Sequence, residues 1–341
     1  MAKVTIVQVI YNNRRFIEPV FNAIFNQTYK DFNVVVVIAG NDDGGKELLK
    51  KKFPQVEIID PGYNIGFSKG HNLVFSNSNA EFFQLVNPDM IMEPDYVEQM
   101  VKAFTDSKVA STTGKLYQVP AEIISSDFVN LKSYILNHKF LDTTGVIISK
   151  SGRARDRGQH EVDNGQYDNQ PIVDAVSGAG CMYRALALRD IRLEVQGSGL
   201  QKLTPNTYNL EPSYEYFDED FHSYWEDVDL AWRMKNKGWK NVFVPTAVGY
   251  HGRTAGSSRG GYLHFVDFIK HHRALSSRIR QLNYKNHILM YIKNSPVFYP
   301  QFFIREFFMF FYSLFFEIST FKVIPELFKL IPVVWKKRKN K

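Results

Sequence analysis

Apolar, β-branched runs alternating with helical spacing constrain this chain more than any other feature of it. Val4 to Ile10 is β-branched and apolar, Phe16 to Phe25 has helical spacing, and Val34 to Ile38 is continuously apolar. Asn41, Asp42, Asp43, Gly44 and Gly45 make a turn and Lys46 to Lys52 a short helix. Val56 to Ile59 then reads as a third strand and, after another helix, Phe82 to Val86 as a fourth. Strands without polar alternation need cover on both faces, so the pattern predicts a mostly parallel α/β sheet with helices on either side. Ligands of such sheets bind beyond the carboxyl ends of the strands, which puts the loops after Ile10, Ile38, Ile59 and Val86 along one crevice.

Two of those loops carry chemistry. In Asn64 to Asn72, Gly66 and Gly70 would let a ligand approach the backbone and Lys69 could reach a phosphate, although glycine and asparagine also suit a plain turn. Asn87-Pro88-Asp89 is either a turn breaker or a carboxylate placed to hold a divalent cation, since magnesium and manganese favour oxygen ligands. Farther on, a helix is expected near Pro94 to Phe104 and a strand near Gly145 to Ser149. The polar stretch Ser151 to Gln170 is expected to be mobile. Ser177-Gly178-Ala179-Gly180 is small enough for another group to come close to the backbone. His251 follows a strand at Val242 to Pro245, as a structural residue or as a partner of Asp89 on a cation.

From Phe217 the chain packs five carboxylates into eleven positions, ahead of an aromatic, basic helix. Glu226, Asp227 and Asp229 fall where the first turn begins, and Lys235, Lys237 and Gly238 where the last one ends, which suits the helix dipole and a glycine C-cap. Helix stabilisation alone would account for that much. Asp218, Glu219 and Asp220 lie just upstream, with Tyr224 and Trp225 between the two groups, and such crowding raises at least one pKa and makes a positioned base plausible.

The length of 341 residues, with 44% hydrophobic and 23% charged content, allows a sizeable core in one domain or a domain plus an appendage. Of the net +7, five charges lie in the last six residues, Lys336, Lys337, Arg338, Lys339 and Lys341, and only +2 remains without them. The basic signal is a tail, so no nucleic-acid-binding face is expected. The lone Cys181 excludes an internal disulfide framework and a multi-cysteine zinc site and fits a reducing, cytoplasmic setting. The amino terminus shows no signal-peptide pattern and reads as the first strand.

In their order, Tyr11-Asn12, Asn64 to Asn72, Asn87-Pro88-Asp89, Gly178-Ala179, Phe217-Asp218-Glu219, Trp225-Glu226-Asp227-Val228-Asp229-Leu230 and the later histidine resemble glycosyltransferase family 2, in particular its rhamnosyltransferase-like branch. The resemblance spans roughly Val4 to Arg253. It implies a GT-A, Rossmann-like fold and an inverting transfer of a sugar, rhamnose among the candidates, from a nucleotide-diphosphate sugar to a lipid-linked or growing surface polysaccharide. Asp227 would be the general base, Glu226 would support it or contact the acceptor, and Asp89 and His251 would bind Mg2+ or Mn2+. Donor contacts would come from Tyr11, Asn12, Asp42, Asn64, Gly66, Lys69, Gly70, Asn72 and Asn87, and acceptor contacts from Gly178, Ala179 and Trp225. The chain departs from the family at Ile38-Ala39-Gly40, where an aspartate is usual, and in a longer connection between Arg192 and Tyr216. Another class also accommodates these residues: a catalytically silent, membrane-associated scaffold that binds a nucleotide or glycan.

Residues 297 to 335 hold eleven of the 28 phenylalanines. Phe303, Phe307, Phe310, Leu314, Ile318 and Phe321 share one helical face, which predicts an amphipathic helix. Its uncharged heart, Phe307 to Phe316, is far shorter than the roughly 20 residues of a bilayer span. A monotopic anchor on the inner face of the cell membrane, helped by the basic tail, is the expectation, with packing against the core or a partner subunit as the alternative. The organisation expected is therefore a catalytic domain at 1–255, a helical connection packed on it at 256–296, and membrane-associating helices with the tail at 297–341.

Overall fold

A computed structural model describes residues 2–40, 43–125, 128–194, 214–253, 269 and 272–339. Strands β1 (Val4–Ile10), β2 (Phe32–Ile38), β3 (Glu57–Ile59) and β4 (Phe82–Leu85) alternate with helices α1 (Arg14–Phe25), α2 (Gly45–Lys52) and α3 (Gly66–Asn77). β1 pairs in parallel with both β2 and β4, and β2 with β3. Their Val and Ile side chains are buried on both faces, as continuous apolar runs require. On α1, Phe16, Ile17, Val20, Phe21 and Ile24 recur at helical spacing and are its buried residues.

Beyond β4 the sheet becomes mixed. β5 (Met90–Met92), α4 (Tyr96–Lys102), β6 (Val109–Gln118), α5 (Ala121–Ile124), α6 (Phe128–Asn137) and β7 (Leu141–Thr143) follow in order. A hairpin of β8 (Val146–Ile148) and β9 (Ala154–Asp156) leads to β10 (Ile172–Val173), β11 (Cys181–Arg184) and α7 (Ala185–Asp190). β12 (Leu193–Glu194) pairs with β13 (Tyr214–Glu215), and α8 (Glu226–Asn236) precedes β14 (Lys240–His251). The sheet runs β10-β14-β6-β11-β4-β1-β2-β3, with β5 on β14 and β7 on β6. β14 is parallel to β6, whereas β11 lies antiparallel between β4 and β6.

The stretch expected to be mobile, 151–170, is instead tied into the domain. Arg157 is buried, its Nε 3.0 Å from Thr144 Oγ1 and its two terminal nitrogens on the carbonyls of Thr144 and Gln170. A polar composition suggested solvent; the buried guanidinium, bonded on all sides, supplies the order.

Three C-terminal helices complete the described chain: α9 (Ser277–Asn294), α10 (Pro300–Phe316) and, after a 3-10 segment, α11 (Ile324–Lys339). Leu289 and Met290 of α9 and Leu327 and Val334 of α11 share a buried cluster with Val228 and Ala231 of α8. Two helices of the appendage thus share a core with α8. α10 differs: Phe303, Phe307, Phe308 and Phe315 are 57%, 60%, 58% and 73% exposed. Among the described residues no single helix is long and apolar enough to cross a membrane, but Pro300–Phe316 and Ile318–Arg338 together would be, bent by 116°.

Candidate active site

The helix α8 begins as its sequence dictates. Glu226, Asp227 and Asp229 occupy the first turn, Arg233 and Lys235 the last, and Gly238 follows with φ of +82°. Asp227 turns back toward the sheet: its Oδ2 accepts from Gly178 N–H at 2.9 Å and its Oδ1 from Val228 N–H at 2.8 Å. Burial raises the Asp227 pKa, opposed by these two N–H groups. Glu226 is 7% exposed, and its Oε2 has no hydrogen-bond partner. Burial, with the Asp227 charge second, pushes it up to about 8. One carboxyl beside the sheet therefore receives two N–H donors while its neighbour is held protonated at neutral pH.

The remaining acids of the crowded segment are neutralised from the C-terminal helices. Lys293 of α9 is fully buried, 2.6 Å from Asp218 and 2.8 Å from Asp229. Lys337 of α11 reaches Asp218 at 2.6 Å and Asp220 at 2.9 Å. Burial opposes ionisation of Asp218, but the two lysines outweigh it and hold its pKa well below the usual range. Crowding alone therefore does not set these pKa values; the partner of each carboxylate decides. Lys337 and Arg338, two of the five cations of the tail, are also spent inside the molecule, Arg338 on the Ile292 carbonyl at 2.6 Å.

At the carboxyl end of β4, Asn87 N–H donates to the Ala179 carbonyl at 2.8 Å. Gly178 and Ala179 thus bridge Asp227 and the Asn87-Pro88-Asp89 loop. His251 lies opposite Met90 in the β14–β5 register, which brings its Nε2 to 3.4 Å from Asp89 Oδ1. Its Nδ1 is 2.9 Å from the buried Asp142, which also pairs with Arg253. Burial works against charge on His251, but Asp142 and then Asp89 push it up to about 9. A carboxylate behind an imidazole is the arrangement that orients a metal-binding histidine. Among the described residues no three His, Cys, Asp or Glu side chains converge as a metal site. Asp89, with His251 once its Nε2 proton is displaced, would fit a hard cation of the kind that takes its other ligands from phosphate and water.

The donor-side candidates divide. Tyr11 is exposed, and its ring lies where a Cβ on Gly40 would fall, at 2.5 Å. Asn12 has a left-handed φ of 53°. Asn64 is exposed and its Oδ1 accepts from Gly66 N–H at 2.9 Å, opening α3, while Lys69 is half-buried. Asn72 is fully buried and holds the acidic segment ahead of α8, with Nδ2 on the Phe217 carbonyl at 2.7 Å and Oδ1 accepting from Phe217 N–H at 2.8 Å. Gly70 gives α3 its close approach to β1, since a Cβ there would lie 2.8 Å from Val9 Cγ2. Both therefore have structural work inside the domain. Asp42 lies outside the described residues, as does most of the long connection before Tyr216. On the acceptor side, Trp225 turns to α9, its Nε1 on Asn283 Oδ1 at 3.0 Å. Asp142, Arg253, Asn286 and Lys293 escaped sequence reasoning because no local spacing links them to their partners.

Residues 5–157 match the model of Glycosyl transferase family 2. Over 248 residues the chain is 27% identical to the glycosyltransferase GlyA of Streptococcus pneumoniae serotype 4, covering 71% of this chain and 33% of that protein. It thus spans about a third of that relative's length. It is 20% identical over 284 residues to an N-acetylglucosaminyl-diphospho-decaprenol L-rhamnosyltransferase of Mycobacterium tuberculosis, covering 79% and 81%. Its fold is similar to that of a mannosyltransferase, PcManGT, from Pyrobaculum calidifontis in complex with GDP-Man and Mn2+, at 13% identity and TM-score 0.50, covering 99% of this chain and 73% of that one. It is also similar to GalNAc-T7 with UDP, GalNAc and Mn2+, at 10% identity and TM-score 0.54, covering 86% and 48%. The fold is therefore a GT-A-like, mostly parallel mixed α/β sheet carrying C-terminal helices.

Proposed function

We propose that this chain is an inverting glycosyltransferase that moves a sugar from a nucleotide-diphosphate donor to a hydroxyl of a lipid-linked or growing surface polysaccharide. The observation that carries the reading is the Gly178-Ala179 bridge, which joins the Asp227 carboxylate to the Asn87–Asp89 loop. Asp227 removes the proton of the acceptor hydroxyl as its oxygen attacks the anomeric carbon, on the face opposite the departing diphosphate. Glu226, protonated beside it, leaves Asp227 as the carboxylate that takes this proton. Asp89 and His251 would hold Mg2+ or Mn2+, which supplies Lewis-acid neutralisation of charge on the leaving group. The Mn2+ of the two structural neighbours supports that choice.

The mycobacterial relative's name makes activated rhamnose the first donor to test and a polyprenyl-diphosphate-linked glycan the first acceptor. The exposed aromatic face of α10 supports a peripheral seat on the inner face of the cell membrane, where such an acceptor resides. A panel of nucleotide sugars, assayed for nucleotide-diphosphate release with Asp227→Asn as control, tests the reading. Release that the control abolishes, with donor binding kept, supports it. Binding without release from any donor would instead indicate the silent scaffold.

A further inference from the structure

The segment that delivers Asp227 is bent in an uncommon way. His222, Tyr224 and Trp225 have φ of 62°, 69° and 73°, in the left-handed region that bulky side chains rarely occupy. Such a backbone persists only where its surroundings over-determine it. Ser68 of α3 supplies part of those surroundings, its Oγ 3.4 Å from the His222 carbonyl, and the rest come from beyond residues 5–157.

Asn286 of α9 is fully buried, and its Nδ2 lies 2.9, 3.0 and 2.9 Å from the carbonyls of Phe221, Ser223 and Tyr224. One turn earlier on the same helix, Asn283 accepts from Trp225 Nε1, and Lys285 donates to the Asp220 carbonyl at 2.9 Å. Lys337 of α11 binds the Asp218 and Asp220 carboxylates at the start of the bend. The apolar cluster that seats α8 on α9 and α11 contains none of these polar groups. Phe221 of the bend belongs to that cluster and Trp225 packs against it, so the hydrogen bonds add direction to a bend that packing also holds.

We infer that Asn286 and Lys337 are positioning residues for the general base: they hold the 218–225 bend in the one shape that sets the Asp227 carboxylate on Gly178 N–H. The assignment rests on Asp227 being the base. The C-terminal helices are then part of the catalytic apparatus as well as a route to the membrane. Without Asn286 the three carbonyls lose their shared donor, and without Lys337 the Asp218 and Asp220 carboxylates lose the cation that joins them, leaving Asp218 to Lys293 alone.

The test uses the full chain labelled with 5-fluorotryptophan, with the Trp225 fluorine signal assigned by Trp225→Phe. Asn286→Ala and Lys337→Met should each lower kcat about a hundredfold, the scale of a small misplacement of a catalytic group. The donor KM should stay within about twofold, because these residues do not face the donor. Asn286→Ala should shift the Trp225 signal, and Lys337→Arg should restore most of the turnover lost in Lys337→Met. Folded variants with wild-type kcat would overturn the inference, as would Lys337→Arg as slow as Lys337→Met. If Asn286→Ala does not fold, the Lys337 pair decides. If the wild type transfers no sugar at all, the proposed function fails while the Trp225 signal still decides the positioning: a shift supports it and an unmoved signal overturns it.

Discussion

The carboxylate of Asp227 accepts a hydrogen bond from the backbone N–H of Gly178 at 2.9 Å, across 49 residues of sequence. A Cβ at position 178 would lie 3.2 Å from Asp227 Oδ2, closer than most such contacts, and at an ordinary 3.5 Å from its Cβ. Gly178→Ala should therefore displace the carboxylate by a few tenths of an ångström without unfolding the domain. Turnover should fall by about tenfold to a hundredfold, given the sensitivity of catalysis to placement. Steady-state kinetics beside a thermal melt would separate this from instability.

Glu226 gives a pH dependence with a definite sign. Its folded-state pKa of about 8 lies above the ordinary 4.5, so the folded chain binds more protons between those values and stability falls as pH rises through that window. Glu226→Gln removes the titration. The variant should gain stability over wild type near pH 9 and little near pH 5, as read from urea midpoints. Because Gln mimics the protonated acid, it should also keep most of the turnover at neutral pH, and its loss there would mean that Glu226 works as a carboxylate.

The Asp89–His251 pair predicts a cation effect readable without catalysis. Asp89→Asn removes the one charged oxygen donor of the pair and should weaken Mn2+ binding by tenfold or more, in line with a hard cation's preference for carboxylate. Calorimetry with Mn2+ in the presence of a nucleoside diphosphate measures this directly. Equal affinity in the variant would place the ion elsewhere.

The outer face of α10 predicts lipid binding. Phe307, Phe308 and Phe315 are each more than half exposed, and replacing all three by Ser should lower affinity for anionic vesicles by at least about tenfold, from the loss of buried apolar area. The fold should be unaffected, since the buried side of this helix is carried by Phe302 and Tyr312. Vesicle flotation of wild type and variant gives the answer.

Much of the sheet was legible because β1, β2 and β4 are written in Val, Ile, Leu and Phe, which announce burial on both faces. β6 was not. Its centre reads Ser111-Thr112-Thr113-Gly114-Lys115, yet it is buried between β14 and β11, with Ser111 Oγ donating to Asn241 at 2.7 Å. A buried strand written in Ser, Thr, Gly and Lys leaves no hydrophobic period to read. At the site, the helix bearing Asp227 was visible from its charge order and Asp89 from its loop. Asp142 and Lys293 were invisible for another reason: their partners lie 109 and 64 to 75 residues away, so only the folded chain brings the charges together.

The pairing of β14 with β5, which sets His251 opposite Met90, also bears on how such a chain could be rebuilt. Strand register is all or nothing: sliding by one residue would send the imidazole to the far side of the sheet. The half of the cleft beside Asp89 is thus inherited from the ladder and tolerates little drift. The half beside Asp227 is carried by a bend whose fastenings come from helices late in the chain, so a transplant of residues from 277 onward between relatives should exchange acceptor preference and leave donor choice intact.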